Sequence, residues 1–172
     1  ARRAPRSLRV LVTASIDRQL VLDARAAGIA ETTLHAEDRS TNTLENIAFA
    51  LPILQRLQGR PAAAGRPRAL ILAPTRELAR QIEGDLVDLG RHLTVRMAAA
   101  YGGVKIDRQR EALESGCDVL VACTGRLLDL AREGSCELGE VEVLVLDEAD
   151  RLLDMGFLPD VRRILERVPD ER

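Results

Sequence analysis

Apolar residues along this chain fall into short unbroken runs, separated by stretches in which they recur every three or four positions. The runs read as strands at residues 8–13, 69–73, 94–100, 118–122 and 141–146, with residues 32–34 as a further short candidate. Runs of this length with polar ends suit strands buried on both faces, as in parallel sheets. The spaced stretches read as helices at 19–27, 77–89, 107–114 and 126–132, and as a last helix through Val161, Ile164, Leu165 and Val168 with Pro159 in its first turn. Gly28, Gly90, Gly116 and Gly134 stand where these helices should end. Another helix starts at Thr43, capped by Thr43 or Asn42, and runs through Leu44, Ile47, Ala48, Leu51 and Leu54, with Pro52 kinking or breaking it. Thr124 is placed to cap the helix that follows it. Residues 59–67, rich in Pro, Gly and Ala, read as a surface linker.

From residue 69 onward strands and helices alternate, which predicts βαβ units and a parallel sheet of the α/β class. Right-handed crossovers put every strand's carboxyl end on one edge, the edge where open α/β sheets bind ligands. Pro74-Thr75-Arg76, Gly102-Gly103, Thr124-Gly125-Arg126 and Asp147-Glu148 should line it. Asp147 and Glu148 end the run Val143-Leu-Val-Leu146, and Asp150 follows. A carboxylate at the end of a buried strand can hold Mg²⁺ near nucleotide phosphates, and a second beside it can orient or activate water. The plainer alternative is an acidic first turn of a helix.

Composition narrows this picture. The 172 residues are 46% hydrophobic and 30% charged, with a net charge of -2, which describes one globular domain and excludes a global basic field for nucleic acid. Any such contact must be a local patch. Lys105 is the only lysine among the basic residues. Cys117, Cys123 and Cys136 are an odd set without C-x-x-C spacing, which reads as reduced thiols in a cytoplasmic protein. No apolar run reaches membrane-spanning length and no secretory signal is visible. The chain begins at Ala1 without Met, as a fragment would.

Five groups of residues carry a family likeness: Ala73-Pro-Thr-Arg-Glu-Leu-Ala79 with Gln81; Tyr101-Gly-Gly-Val104 with Gln109; Gly125-Arg-Leu-Leu-Asp129; Asp147-Glu-Ala-Asp150; and Met155-Gly-Phe157. In order and spacing they resemble the first RecA-like domain of DEAD-box ATP-dependent RNA helicases over residues 48–172. The resemblance implies a RecA-like, mostly parallel sheet flanked by helices in three layers, incomplete here. It implies Mg-ATP as cofactor, with Asp147 holding Mg²⁺ through water, Glu148 positioning or activating the attacking water, and Asp150 coupling the site to neighbouring motifs. It implies that Pro74, Thr75, Arg76, Glu77, Gly102, Gly103, Thr124, Gly125 and Arg126 grip single-stranded RNA by its backbone, without reading sequence.

Three departures qualify it. A phosphate loop needs G-x-x-x-x-G-K-[ST], but the chain reads Ser40-Thr-Asn-Thr-Leu-Glu-Asn46 at that place, without the glycine cradle or the lysine and with the repelling charge of Glu45. The adenine-recognising glutamine motif is also unrecognisable, so ATP binding should be weak or absent. Cys123 and Thr124 stand where the family has Thr-Pro, which puts the RNA grip there in question. The chain stops before the Ser-Ala-Thr motif and the second RecA-like domain, which supplies arginines for hydrolysis. The missing strand should leave a gap or an exposed edge beside the Asp147 strand, and residues 8–13 are the candidate to fill it.

Residues 8–50, with Gly28-Ile29 and Glu37-Asp-Arg-Ser-Thr-Asn-Thr-Leu-Glu-Asn46, resemble a bacterial envelope domain of the vancomycin high-temperature exclusion type, which carries Ser-x-Asn-Thr-x-Glu-Asn. A chimeric or misjoined segment 1–47 and a simple helix cap with a polar loop both remain open. The leading expectation is a partial DEAD-box helicase core, inactive as this chain alone. Its rivals are a non-catalytic RNA- or protein-binding module and an envelope-domain fragment with an incidental match.

Overall fold

The computed structural model describes residues 9–13, 34–37, 50 and 52–169. The helix expected at 19–27, Gly28, the cap at Asn42 or Thr43 and the segment Ser40–Asn46 lie outside the described residues. Strands β1 (Arg9–Thr13), β2 (Leu34–Glu37), β3 (Ala69–Leu72), β4 (Met97–Ala100), β5 (Val119–Ala122) and β6 (Val143–Leu146) form one sheet in the order β2-β1-β6-β3-β5-β4. Every neighbouring pair is parallel. The helices are α1 (Arg76–Gly90), α2 (Ile106–Glu114), α3 (Thr124–Arg132), α4 (Ala149–Asp154) and α5 (Leu158–Leu165). Residues 52–57 are helical too and include Pro52.

The side-chain period of two divides each strand between two cores. Leu70, Leu72, Leu120, Ala122, Leu144 and Leu146 pack against Leu113 of α2, Leu127 and Leu130 of α3, Leu152 of α4 and Ile164 of α5. Ala69, Ile71, Val119, Val121, Val143 and Val145 face the other way, onto Ile53, Leu54 and Leu57 and onto Ala79 and Leu86 of α1. β3, β5 and β6 are buried at every position. The three layers of the expected RecA-like architecture are therefore present, with helices on both faces of a parallel sheet.

Of the candidate residues 8–13, Arg9–Thr13 do fill the place beside the Asp147 strand. β1 pairs with β6 from Arg9↔Val143 to Val12↔Leu146, so β6 lies inside the sheet between β1 and β3. No gap or open edge is left at β6, because a parallel strand from the chain's own start takes up its hydrogen bonds.

Several local expectations are corrected. Strands expected at 94–100 and 141–146 begin at Met97 and Val143, because the apolar residues before them pack without sheet pairing. Gly90 does not end α1 as a left-handed residue; it is the last helical residue, and a Cβ there would lie 2.3 Å from Met97 Cε. The end of the Met97 side chain lies over Gly90 and would have to shift to admit a Cβ. Thr124 does not cap α3. Cys123 holds the cap position with extended backbone, its carbonyl accepts the first helical bond from Leu127 N, and Thr124 is buried as the first helical residue.

The linker 59–67 is pinned down rather than loose. Asp118, just before β5, is buried, and its carboxylate accepts from Ala62 N at 2.6 Å and from Arg96 N at 2.9 Å. Arg68, before β3, donates from Nε to Glu142 at 3.1 Å and from Nη1 to the carbonyls of Leu57 at 2.8 Å and Arg60 at 2.5 Å. Arg60 and Arg56 also reach Glu142. Buried charge is tolerated only when paired and hydrogen-bonded, and this network meets that condition.

Candidate functional site

The carboxyl ends of the central strands are level. Leu72 stands opposite both Leu146 and Ala122, and Ala100 stands opposite Ala122. The next residues continue the alignment through backbone bonds: Asp147 N donates to Leu72 O at 2.9 Å, Ala73 N to Ala122 O at 3.0 Å and Cys123 N to Ala100 O at 2.9 Å. Four loops from distant parts of the chain are thus stitched into one rim. At ~4.8 Å per strand the rim runs ~14 Å from Asp147 to Tyr101.

At one end stand the carboxylates. Asp147 is buried, and its Oδ1 accepts from Glu148 N at 3.2 Å. Glu148 has φ 44 and ψ 53, which makes it the only non-glycine residue with positive φ among the described residues. The chain must turn from β6 into α4 within one residue, and the left-handed conformation achieves this at a cost of about 1–2 kcal/mol. The turn keeps both residues at the carboxyl end of β6, on the rim. Glu148 Oε2 accepts from Arg151 Nη1 at 3.0 Å. Asp150 is exposed in the first turn of α4, with no hydrogen-bond partner among the described residues that would couple it to another motif. Among the described residues no cluster of three His, Cys, Asp or Glu side chains could hold a metal.

The strain is testable. Glu148→Gly should stabilise the chain by about 0.5–1 kcal/mol in urea unfolding, since relief of the left-handed conformation outweighs the exposed pair with Arg151. A loss of stability would show that the conformation carries no strain.

The middle of the rim is α1's start. Thr75 caps the helix, with Oγ1 accepting from Leu78 N at 3.2 Å. Pro74 is buried beneath it, while Arg76 and Glu77 are exposed and paired at 2.6 Å. Their hydrogen bond and mutual charge hold the Glu77 carboxyl below its ordinary value and raise the Arg76 guanidinium. Burial, and then the charge of Glu77, push the Cys123 thiol up, so Cys123 is no activated nucleophile despite its place at a helix start.

The far end is built from glycine and arginine. Gly103 has φ +82, a left-handed conformation that strains any other residue, and Arg76 Nη1 lies 3.1 Å from where a Cβ would be. Above Gly102 and Gly125 a Cβ would meet nothing within 4 Å. No side chain caps α3, which leaves its first N–H groups for a ligand. Arg126 Nη1 donates to Val104 O at 3.0 Å and to Gln109 Oε1 at 2.9 Å, and Gln109 Nε2 donates to Tyr101 O at 2.9 Å.

The fold thus brings Pro74, Thr75, Arg76, Glu77, Gly102, Gly103, Thr124, Gly125, Arg126, Asp147 and Glu148 to one rim, with Pro74 and Thr124 beneath its surface. Sequence reasoning assigned no task to Gln109, although its place eight residues after Tyr101 puts it one helical turn into α2. It also missed the Arg68–Glu142 network, for which sequence offers no signal.

Comparison with known proteins agrees with this geometry. Residues 46–172 match the DEAD/DEAH box helicase family. An ATP-dependent RNA helicase RhlB from Xanthomonas oryzae is 48% identical over 140 residues, covering 78% of this chain and 24% of that protein. The RhlB of Pseudomonas syringae is 45% identical over 152 residues, covering 83% and 38%. The chain therefore spans well under half the length of these relatives. Among solved structures, the yeast DEAD-box splicing factor Prp28 superposes with a TM-score of 0.69 at 30% identity, over 93% of this chain and 32% of that one. A hypothetical ATP-dependent RNA helicase from Sulfolobus tokodaii gives 0.67 at 29% identity, over 93% and 38%. With the level rim, the matched motifs and these relatives together, this chain belongs to the DEAD/DEAH box helicase family and carries part of its first RecA-like domain.

Proposed function

We propose that this chain is an RNA-backbone-binding part of an ATP-dependent RNA helicase, with the metal and water side of the ATP site and without the phosphate side. The observation that carries the reading is the rim itself, where three interstrand backbone bonds bring Asp147, Ala73 and Cys123 level. The empty space above Gly102 and Gly125 lets a phosphate approach the backbone, the start of α3 carries no side-chain cap, and Arg126 adds charge. Residues 48–172 form the partial RecA-like domain in this reading. Residues 1–47 are an atypical segment whose strands join the same sheet.

Asp147, a buried carboxylate at the end of β6, suits a Mg²⁺ that keeps water and phosphate oxygens as its other ligands. Those phosphates need a glycine cradle and a lysine, and the chain has neither before residue 48. Lys105 cannot substitute: it follows β4, three strands from β6. The residues present do not fit Mg·ATP, so the chain alone should neither hydrolyse ATP nor unwind RNA. A second RecA-like domain would be its natural partner in the whole protein. The three free cysteines agree with a cytoplasmic setting. Among the described residues no helix is long and apolar enough to cross a membrane.

The two rim arginines should contribute unequally. Arg76 shares its charge with Glu77, whereas Arg126 has only neutral acceptors among the described residues. In fluorescence anisotropy with a labelled single-stranded oligouridylate at low salt, Arg126→Ala should weaken binding about ten-fold and lower the salt slope by about one. Arg76→Ala should weaken it less than about three-fold. No binding by the unaltered chain would refute the RNA reading, and equal losses would refute the asymmetry.

A further inference from the structure

We infer that Gln109 is a positioning residue for the rim: it fastens the Gly102-Gly103 loop to Arg126 and leaves the Arg126 charge unspent. The inference rests on the RNA reading above for its consequence, but its geometry stands independently. Gln109 projects from the first turns of α2 and is buried to 6% exposure. Both ends of its amide are used. Nε2 donates to Tyr101 O, at the start of the glycine loop, and Oε1 accepts from Arg126 Nη1. The same Nη1 donates to Val104 O, at the loop's other end. The loop is thereby clamped at Tyr101 and Val104, with Gly102 and Gly103 spanning between.

The choice of an amide matters. A carboxylate at position 109 could accept from Arg126 equally well, but it could not donate to Tyr101 O, and it would neutralise Arg126. The other arginines near this end show what that looks like: Arg76 pairs with Glu77, and Arg110 pairs with Asp107 and Glu133. Glutamine orients the guanidinium with a neutral acceptor and occupies only one of its nitrogens. The remaining N–H donors and the full charge stay available for a phosphate. Two exposed glycines would otherwise leave the loop backbone with many conformations, and a ligand would have to order them on binding.

The test uses the full chain with Gln109→Ala and Gln109→Glu. Backbone amide NMR relaxation reads loop order, oligouridylate anisotropy reads the rim, and thermal melting reports folding. Gln109→Ala should lower the order parameters of residues 102–105 to below about 0.6 with little change in the β3, β5 and β6 amides, and should weaken oligouridylate binding about ten-fold. Gln109→Glu should keep most of the loop's order through its bond to Arg126 yet bind oligouridylate at least as poorly as the alanine variant, with a salt slope lower by about one. A purely structural role predicts the opposite: the glutamate variant would regain binding as it regains order. Unchanged loop order in Gln109→Ala, or wild-type affinity in Gln109→Glu, would overturn the inference. If the unaltered chain binds no oligouridylate, the RNA reading fails by itself, and the relaxation data still decide whether Gln109 clamps the loop.

Discussion

Titration calorimetry with Mg·ATP is expected to show no binding tighter than about 1 mM, which corresponds to about -4 kcal/mol. Nucleotide affinity in P-loop folds comes from backbone N–H groups of a glycine-rich turn around the phosphates and from a lysine that reaches the β- and γ-oxygens. Before the helical residues 52–57 this chain has Leu44, Glu45 and Asn46, so a carboxylate stands where a cation is needed. Like charge next to a triphosphate costs affinity besides contributing none. Asp147 and Glu148 cannot compensate, since carboxylates attract the phosphates only through a metal that the phosphates themselves help to hold. The deficit should be repairable. Replacing residues 39–46 by a G-x-x-x-x-G-K-T octet should bring affinity into the micromolar range. Micromolar binding by the unaltered chain would sink the proposal of a one-sided ATP site.

The second large effect concerns stability. Glu142→Ala should destabilise the chain by about 3–5 kcal/mol, as removing one partner of a buried ion pair does. Against a usual total of about 5–15 kcal/mol, that is a large fraction. The side chains of Arg68 and Glu142 are 6% and 9% exposed, so solvent cannot replace the lost carboxylate for Arg68. Arg60 and Arg56 would then add repulsion around the same point. By contrast, Arg56→Ala should cost no more than about 1 kcal/mol, because its half-exposed charge is already screened. Adding Arg68→Met to Glu142→Ala should recover most of the loss, because the orphaned charge disappears with its partner. Urea unfolding followed by circular dichroism reads all four chains. A cost below about 1 kcal/mol for Glu142→Ala would mean that water reaches Arg68.

Much of the fold was legible because burial on both faces writes itself into sequence as an unbroken apolar run. β3, β5 and β6 were read within two residues for that reason. β4, with partly exposed Met97 and Ala99, was read three residues too long. α4 was foreseen only as the alternative of an acidic first turn after β6, since six residues are too few to establish a helical period, and only Ala149 and Leu152 reach the core. The start of α3 was misplaced because Thr124 has the side chain of a cap, while the backbone bond from Leu127 N goes to Cys123 O. Of the site, the strand-end carboxylates and the glycine pair were legible from position alone. The burial of Pro74 and Thr124 was not, because it depends on what packs over them.

By itself the sequence determined the alternation of strands and helices from residue 69, the parallel sheet, the family and the lack of a phosphate-loop motif, all of which rest on residue type and short-range spacing. The tertiary structure alone decided that β1 lies against β6 and that Arg68 meets Glu142 across 74 positions of chain. It alone decided that Arg126 keeps its charge while Arg76 shares it. Periodicity and capping are local, so neighbours in the chain express them. Desolvation and charge pairing depend on atoms that become neighbours only when the sheet has formed.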